Sequence, residues 1–251
     1  MRFIVGSRMS HLRHAILSAP WFPLTRYIAK GSYALYDIQC FSGTRHFNVI
    51  FDVGANVGQT AHGLISYFPV SQIYCFEPAT APFEKLKSNY GHKVHCFQKA
   101  LGSARESRTL FIQGDSELNT FVQDAPRNDP SVRPETVEVD TIDRFCEELN
   151  IGAIDLLKID AQGWELEVLR GANRMIDANS VRFIYAEVGF RRVDSDIAYF
   201  PDLHATLEQK GYLFAGLYDN FRWGDKKVVH FANALYFNPK FSTEPSKAQV
   251  T

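Results

Sequence analysis

Asp52, Gly54, Asn56 and Gly58 follow the spacing Asp-x-Gly-x-Asn-x-Gly at the end of the apolar run Val49–Val53. A strand that runs into a glycine turn and then a helix is where open α/β sheets bind ligands, just beyond the carboxyl ends of the strands. Gly54 allows the chain to turn without a Cβ clash, and Gly58 lets the next helix start close to its neighbours. The N–H groups of this loop, Ala55 among them, are expected to face a ligand. Glu77-Pro78 closes the next apolar run, and an acid there can accept both hydroxyls of a ribose. Ala100-Leu101, past a third run, reads either as a flank for an adenine ring or as a plain strand-end turn.

The loop lacks the Gly-x-Gly-x-x-Gly spacing that cradles a pyrophosphate. It suits a ligand with an amino-acid head, whose ammonium Asp52 would hold directly or through water. The cofactor expected is therefore S-adenosylmethionine (SAM). An NAD(P)-dependent oxidoreductase is the alternative, because it shares the Glu77 device. It would also need a hydride-transfer pair such as Tyr-x-x-x-Lys, and none is evident. A protein that kept the fold and lost the reaction is a third reading.

With SAM the reaction is an in-line displacement, and a hydroxyl acceptor must lose its proton as the bond forms. Asp160 ends the apolar run Ile154–Ile159 and is the leading base. Lys158 precedes it by two and projects to the same side of a strand. Buried in such a run, it requires an acidic partner, Asp160 or another. A purely structural ion pair is the plain reading. Glu187 ends the run after that. Asp160 and Glu187 could jointly bind Mg²⁺, which would acidify the hydroxyl, or Glu187 could accept a hydrogen bond from the acceptor. Two carboxylates alone do not establish a metal. His204 and His230 are not placed near the methyl by any pattern.

Phe51–Gly58, Phe76–Pro78, Leu157–Ala172 and Glu187 together resemble the FkbM family of SAM-dependent methyltransferases. The family pattern is similar to FDVGANxG, then FEP, then LKIDxEGxE…LxGA, then a Glu after the next strand. The resemblance runs from about Asn48 to Val188. It implies O-methyl transfer to a hydroxyl, with sugars, glycans and secondary metabolites as acceptors. Gln162 stands where the family usually has Glu, which removes a negative charge near the site. Any role of that Glu in orienting Lys158 or a substrate hydroxyl is then in question.

Positioning these residues takes alternating strands and helices from Asn48 onward, which means a mainly parallel sheet covered on both faces. Strands are expected at Val49–Val53, Gln72–Phe76, Val94–Gln98, Thr109–Ile112, Thr136–Val139, Ile154–Ile159 and Val181–Val188. Helices are expected at Gln59–Tyr67, Ala81–Tyr90, Ile142–Leu149, Trp164–Ile176 and His204–Lys210. Tyr212–Leu217 and Ala232–Phe237 would close the sheet as an antiparallel hairpin. The fold class is thus α/β: a class I methyltransferase, Rossmann-like, with seven mostly parallel strands. The polar stretch Gln113–Pro134, which includes Asp115–Thr120, reads as a surface excursion that closes over the site or is merely solvated.

The 251 residues suffice for one large domain, here residues 41–251, after an N-terminal extension, residues 1–40. The extension carries Arg2, Arg8, Arg13, Arg26 and Lys30 before its first acid, Asp37. A basic helix at His11–Ser18 would pack on the domain, act as a lid, or rest peripherally on an anionic membrane. The net charge of −1 disfavours a nucleic-acid partner. Cys40, Cys75, Cys96 and Cys146 form no C-x-x-C pair. They read as reduced thiols of a cytoplasmic protein, with Cys75 and Cys96 packed inside. No span or signal peptide is apparent. The expected partner is a small-molecule or glycan acceptor, free or carried at a membrane.

Overall fold

The structure, a computed structural model, describes residues 31–44, 46–113, 119, 121, 132–194, 196–225 and 227–241. The basic lead before residue 31 lies outside these residues, as does all of Asp115–Thr120 except Asn119.

Seven strands form the main sheet: β1 (Val49–Val53), β2 (Gln72–Phe76), β3 (His95–Phe97), β7 (Ile154–Ile159), β8 (Val181–Gly189), β9 (Leu213–Trp223) and β10 (Val228–Phe237). Their order is β3-β2-β1-β7-β8-β10-β9. The first five are parallel, and β10 runs antiparallel to both β8 and β9. The order reverses at β1, so a crevice opens between the carboxyl ends of β1 and β7. The expected hairpin is present and longer than the sequence suggests. Its extra length contains a bulge, where Asp219 adopts φ +50°.

A second sheet, unanticipated as such, joins β4 (Ala100–Leu101), β5 (Glu106–Gln113) and β6 (Val132–Asp140) in the order β4-β6-β5. Trp164 fastens it to the crevice. The Arg108 guanidinium lies 4.5 Å from the Trp164 ring centroid, and Phe121 packs 5.2 Å from it.

The main sheet is buried on both faces, which is why its central strands are apolar apart from Asp52 on β1 and Asp155 and Lys158 on β7. One face carries Phe51, Val53, Leu157, Ile159, Ile184 and Val188. The other carries Ile50, Leu156, Phe183 and Leu235 beneath helices α1 (Ala34–Ser42) and α2 (Gln59–Tyr67). Helix α1 buries Ala34, Leu35 and Ile38 in that layer. Burial of a side chain such as Ile38 contributes about 1.5–3 kcal/mol. Position 40, the expected domain boundary, falls inside α1.

Helix α3 (Thr80–Tyr90) ends at Gly91 as expected. Thr141 caps α4 (Ile142–Glu148) by accepting from the Arg144 N–H. The single helix expected over Trp164–Ile176 is two helices, α5 (Glu165–Arg170) and α6 (Asn173–Asp177). The cause is Asp143. Its N–H takes the Gly171 carbonyl, and its carboxylate accepts from the N–H groups of Arg174 and Met175, which starts a new helix there. Helix α7 (Phe200–Gln209) begins four residues before the expected His204, with Pro201 in its first turn, where a missing N–H costs nothing.

All four cysteines are free. Cys75 and Cys146 are buried, Cys96 is half-buried and Cys40 is exposed. Among the described residues no helix is long and apolar enough to cross a membrane.

Candidate active site

The loop after β1 is built around two close approaches. Gly54 has φ +76°, and a Cβ there would lie 1.8 Å from the Asp160 carbonyl oxygen. Gly58 has φ +95°, and a Cβ would lie 2.4 Å from the Tyr90 ring. Gly54 therefore brings the ends of β1 and β7 together, while Gly58 packs the start of α2 against α3.

Three N–H groups of this loop are used internally, contrary to the sequence expectation. Gly54 and Ala55 both donate to the Phe76 carbonyl at 3.0 Å, and Asn56 donates to Glu77 Oε2 at 2.9 Å. The loop folds back over the end of β2, and these three N–H groups are spent on holding it there. Glu77 Oε1 also accepts from the Ala79 N–H, past half-buried Pro78. Each Glu77 oxygen keeps a lone pair. Burial raises its pKa to about 7 against the opposing pull of those two hydrogen bonds.

Asp52 has no exposed surface. Its partner is Lys158, directly opposite on β7, with Nζ 3.2 Å from Oδ1. It was expected to meet a ligand ammonium and instead neutralises a buried lysine. Burial raises the Asp52 pKa, and Lys158 opposes that rise. For Lys158, burial favours the neutral amine, but the charges of Asp52 and Asp160 outweigh it and the pKa is raised. The ammonium also reaches Asp160 Oδ2 at 3.5 Å and the Gly54 carbonyl at 3.4 Å. Both acidic partners weighed for Lys158, Asp160 and another acid, are therefore present.

Asp160 is the one carboxylate of this group with substantial exposure, 34% of its side chain. Gln162 Nε2 donates to Asp160 Oδ1 at 2.9 Å and to Glu187 Oε2 at 3.3 Å, which brings together two acids from different strands. Burial pushes the Glu187 carboxyl well above the carboxylate range. Asp160 and Glu165 add to this, and Lys158 pulls the other way. Among the described residues no group of three or more His, Cys, Asp or Glu side chains is arranged to hold a metal ion.

Ala100 and Leu101 are buried and form a wall. Ala100 packs with Ala79 and Val139, and Leu101 belongs to the main core. His204 Nδ1 lies 3.2 Å from the Tyr236 hydroxyl, and His230 faces Asp194.

Glu165 is a site residue to which sequence reasoning gave no role. It is fully buried, and Oε1 accepts from the N–H groups of Ala161 and Gly163 while Oε2 accepts from Ala198. It locks the turn that carries Asp160 and Gln162 to the segment after β8. An acid in the first helical turn after a strand was the available signal.

The crevice fits SAM in two respects. Glu77 stands at the end of β2 with a lone pair open on each carboxylate oxygen, and Asp160 offers an exposed carboxylate at the end of β7. A family model described as the methyltransferase FkbM domain matches residues 52–214. The 2-O-methyltransferase NoeI of Sinorhizobium fredii is 31% identical over 154 residues, covering 55% of this chain and 62% of that protein. Methyltransferase 1 of Beauveria bassiana is 30% identical over 156 residues, covering 54% and 61%. The chain thus spans about three fifths of the length of these relatives. Among solved structures, the METTL16 MTase domain aligns with a TM-score of 0.50 at 11% identity, over 93% of this chain and 79% of that one, a likeness of fold. The family match decides between the two cofactor readings, against the dinucleotide: the chain belongs to the FkbM methyltransferase family.

Proposed function

We propose that this protein transfers the methyl group of SAM to a hydroxyl of a sugar-containing or secondary-metabolite acceptor. The observation that carries the proposal is the acid pair Asp160–Glu187 at the carboxyl ends of adjacent strands, beside the Gly54 loop and the Lys158 ammonium. The similarity to a 2-O-methyltransferase agrees with it.

When bound, SAM supplies an electrophilic methyl on a sulfonium. The chain's own part is to place a hydroxyl in line and remove its proton. Asp160, exposed and next to Lys158, takes that proton as the oxygen–carbon bond forms. Lys158 steadies the carboxylate before transfer. Glu187, held above the usual carboxylate range, stays available to orient the hydroxyl by a hydrogen bond. Asp52 neutralises Lys158 and so keeps this arrangement inside the protein.

Calorimetric titration with SAM and with NAD⁺, followed by transfer of labelled methyl from SAM to a panel of glycans and hydroxylated small molecules, tests this reading. Micromolar SAM binding and label on an acceptor oxygen are expected. A folded protein that ignores SAM, or one that labels nitrogen only, would overturn it.

A further inference from the structure

Gln162 occupies a conformation that its residue type does not favour. Its φ is +50°, and Gly163 after it lies at +90°. A long side chain in the left-handed region persists only where its surroundings hold it. Here they do: the buried Glu165 carboxylate ties down the N–H groups on both sides, at Ala161 (2.8 Å) and Gly163 (3.3 Å). The turn aims the Gln162 amide between Asp160 and Glu187, at 2.9 and 3.3 Å.

An amide nitrogen has two N–H donors and no acceptor capacity. Two carboxylates that both contact it are held close without a cation between them. The charges that face Glu187 are Lys158 from β7, Asp160 just after it, Glu165 from α5, and Asp196 from the segment after β8. Strand β10 sets neutral Asn233 opposite it. The one ammonium in this set, Lys158, is already shared between Asp52 and Asp160. The amide favours the ionised form of each acid it contacts; without it, the Glu187 carboxyl that burial already pushes up would be harder still to ionise, unless a cation took the amide's place.

We propose that Gln162 is the positioning residue of the acid pair, its amide standing where a divalent cation would otherwise be held. A carboxylate at this position turns the pair into a three-acid cation site. The inference rests on Asp160 and Glu187 facing the acceptor, but its test needs no acceptor.

Two measurements on the full chain without SAM decide it. In the first, Mn²⁺ is titrated by electron paramagnetic resonance into the wild type, Gln162→Glu and Gln162→Glu/Glu187→Gln. Gln162→Glu should bind Mn²⁺ about tenfold more tightly than the wild type, and Glu187→Gln should cancel the gain. In the second, the carboxyl titration of Glu187 is followed by carbon NMR in the wild type and in Gln162→Met. Loss of the donor should raise the midpoint by about one pH unit, a shift that a merely structural role would not produce. If Gln162→Glu does not fold, Gln162→Met alone carries the test. An unchanged midpoint in folded Gln162→Met overturns the proposal, as does equal Mn²⁺ affinity in folded Gln162→Glu. If instead the titration shifts as expected but no hydroxyl is ever methylated, the proposed function fails and the positioning role stands.

Discussion

Lys158 and Asp52 stand opposite each other across the β1–β7 ladder, Nζ 3.2 Å from Oδ1, both buried within the sheet. Removing one partner leaves the other as an uncompensated buried charge. Lys158→Met should therefore destabilise the protein by about 3 kcal/mol at pH 8, and Asp52→Asn/Lys158→Met should recover a large part of that. The Asp52 pKa is already raised by burial, and loss of the lysine raises it further. The folded state then holds a proton that the unfolded state releases, so the single variant should lose stability as pH rises from the unfolded carboxylate range up through the raised folded pKa. Urea unfolding of both variants at pH 5.5 and 8 measures this, and wild-type midpoints throughout would sink it.

The approach of Gly54 to the Asp160 carbonyl predicts an unusually harsh response to a single methyl group. In Gly54→Ala the added carbon meets backbone, which cannot swing aside, so the loop must move and SAM affinity should fall by about 100-fold. Gly211 is the control. It also has positive φ, but a Cβ there meets nothing within 4 Å. Gly211→Ala should cost about 1 kcal/mol of stability and leave SAM binding intact. Equal SAM affinities in the two variants would refute the role given to Gly54.

Glu77, with its pKa raised to about 7, gives cofactor binding a pH dependence. Ribose hydroxyls donate to the ionised carboxylate, so binding favours the deprotonated form and releases a proton near neutrality. SAM should bind about tenfold more weakly at pH 6 than at pH 8. Glu77→Gln should bind weakly at both pH values and lose most of that slope. Calorimetry in two buffers of different ionisation enthalpy would count the proton, and a count of zero would contradict the assignment.

Asp160→Asn and Glu187→Gln should separate chemistry from binding. Each should lower the rate of methyl transfer, Asp160→Asn by about 10²–10⁴-fold, with SAM affinity changed by no more than about threefold. A loss confined to SAM affinity would move Asp160 from the base to the cofactor site.

Much of this arrangement is legible in the chain itself. The position of Asp160 follows from the end of an apolar run, Ile154–Ile159, whereas Glu187 sits two residues inside β8, which continues to Gly189. The choice of partner for Asp52 was not legible, because it depends on the register between strands more than 100 residues apart. Glu165 is in the same class: one of its three hydrogen bonds goes to Ala198, 33 residues away. The break between α5 and α6 depends on Asp143, a residue of a different helix. Periodicity, which reads only local spacing, runs straight through it. The strand pairing that makes the second sheet was hidden because β4 is two residues long.

The hydroxyl of Tyr218 on β9 donates to Asp37 on α1 at 2.7 Å, across 181 residues of sequence. During synthesis α1 emerges well before the strand that completes its surroundings. β1, at the middle of the sheet, likewise waits for β7 to leave the ribosome. The protein therefore cannot acquire its structure progressively from its N-terminal side. A nascent chain halted before Leu213 would display the apolar side of α1 and a sheet without its last strands, a species that calls for chaperone protection until β9 and β10 have followed.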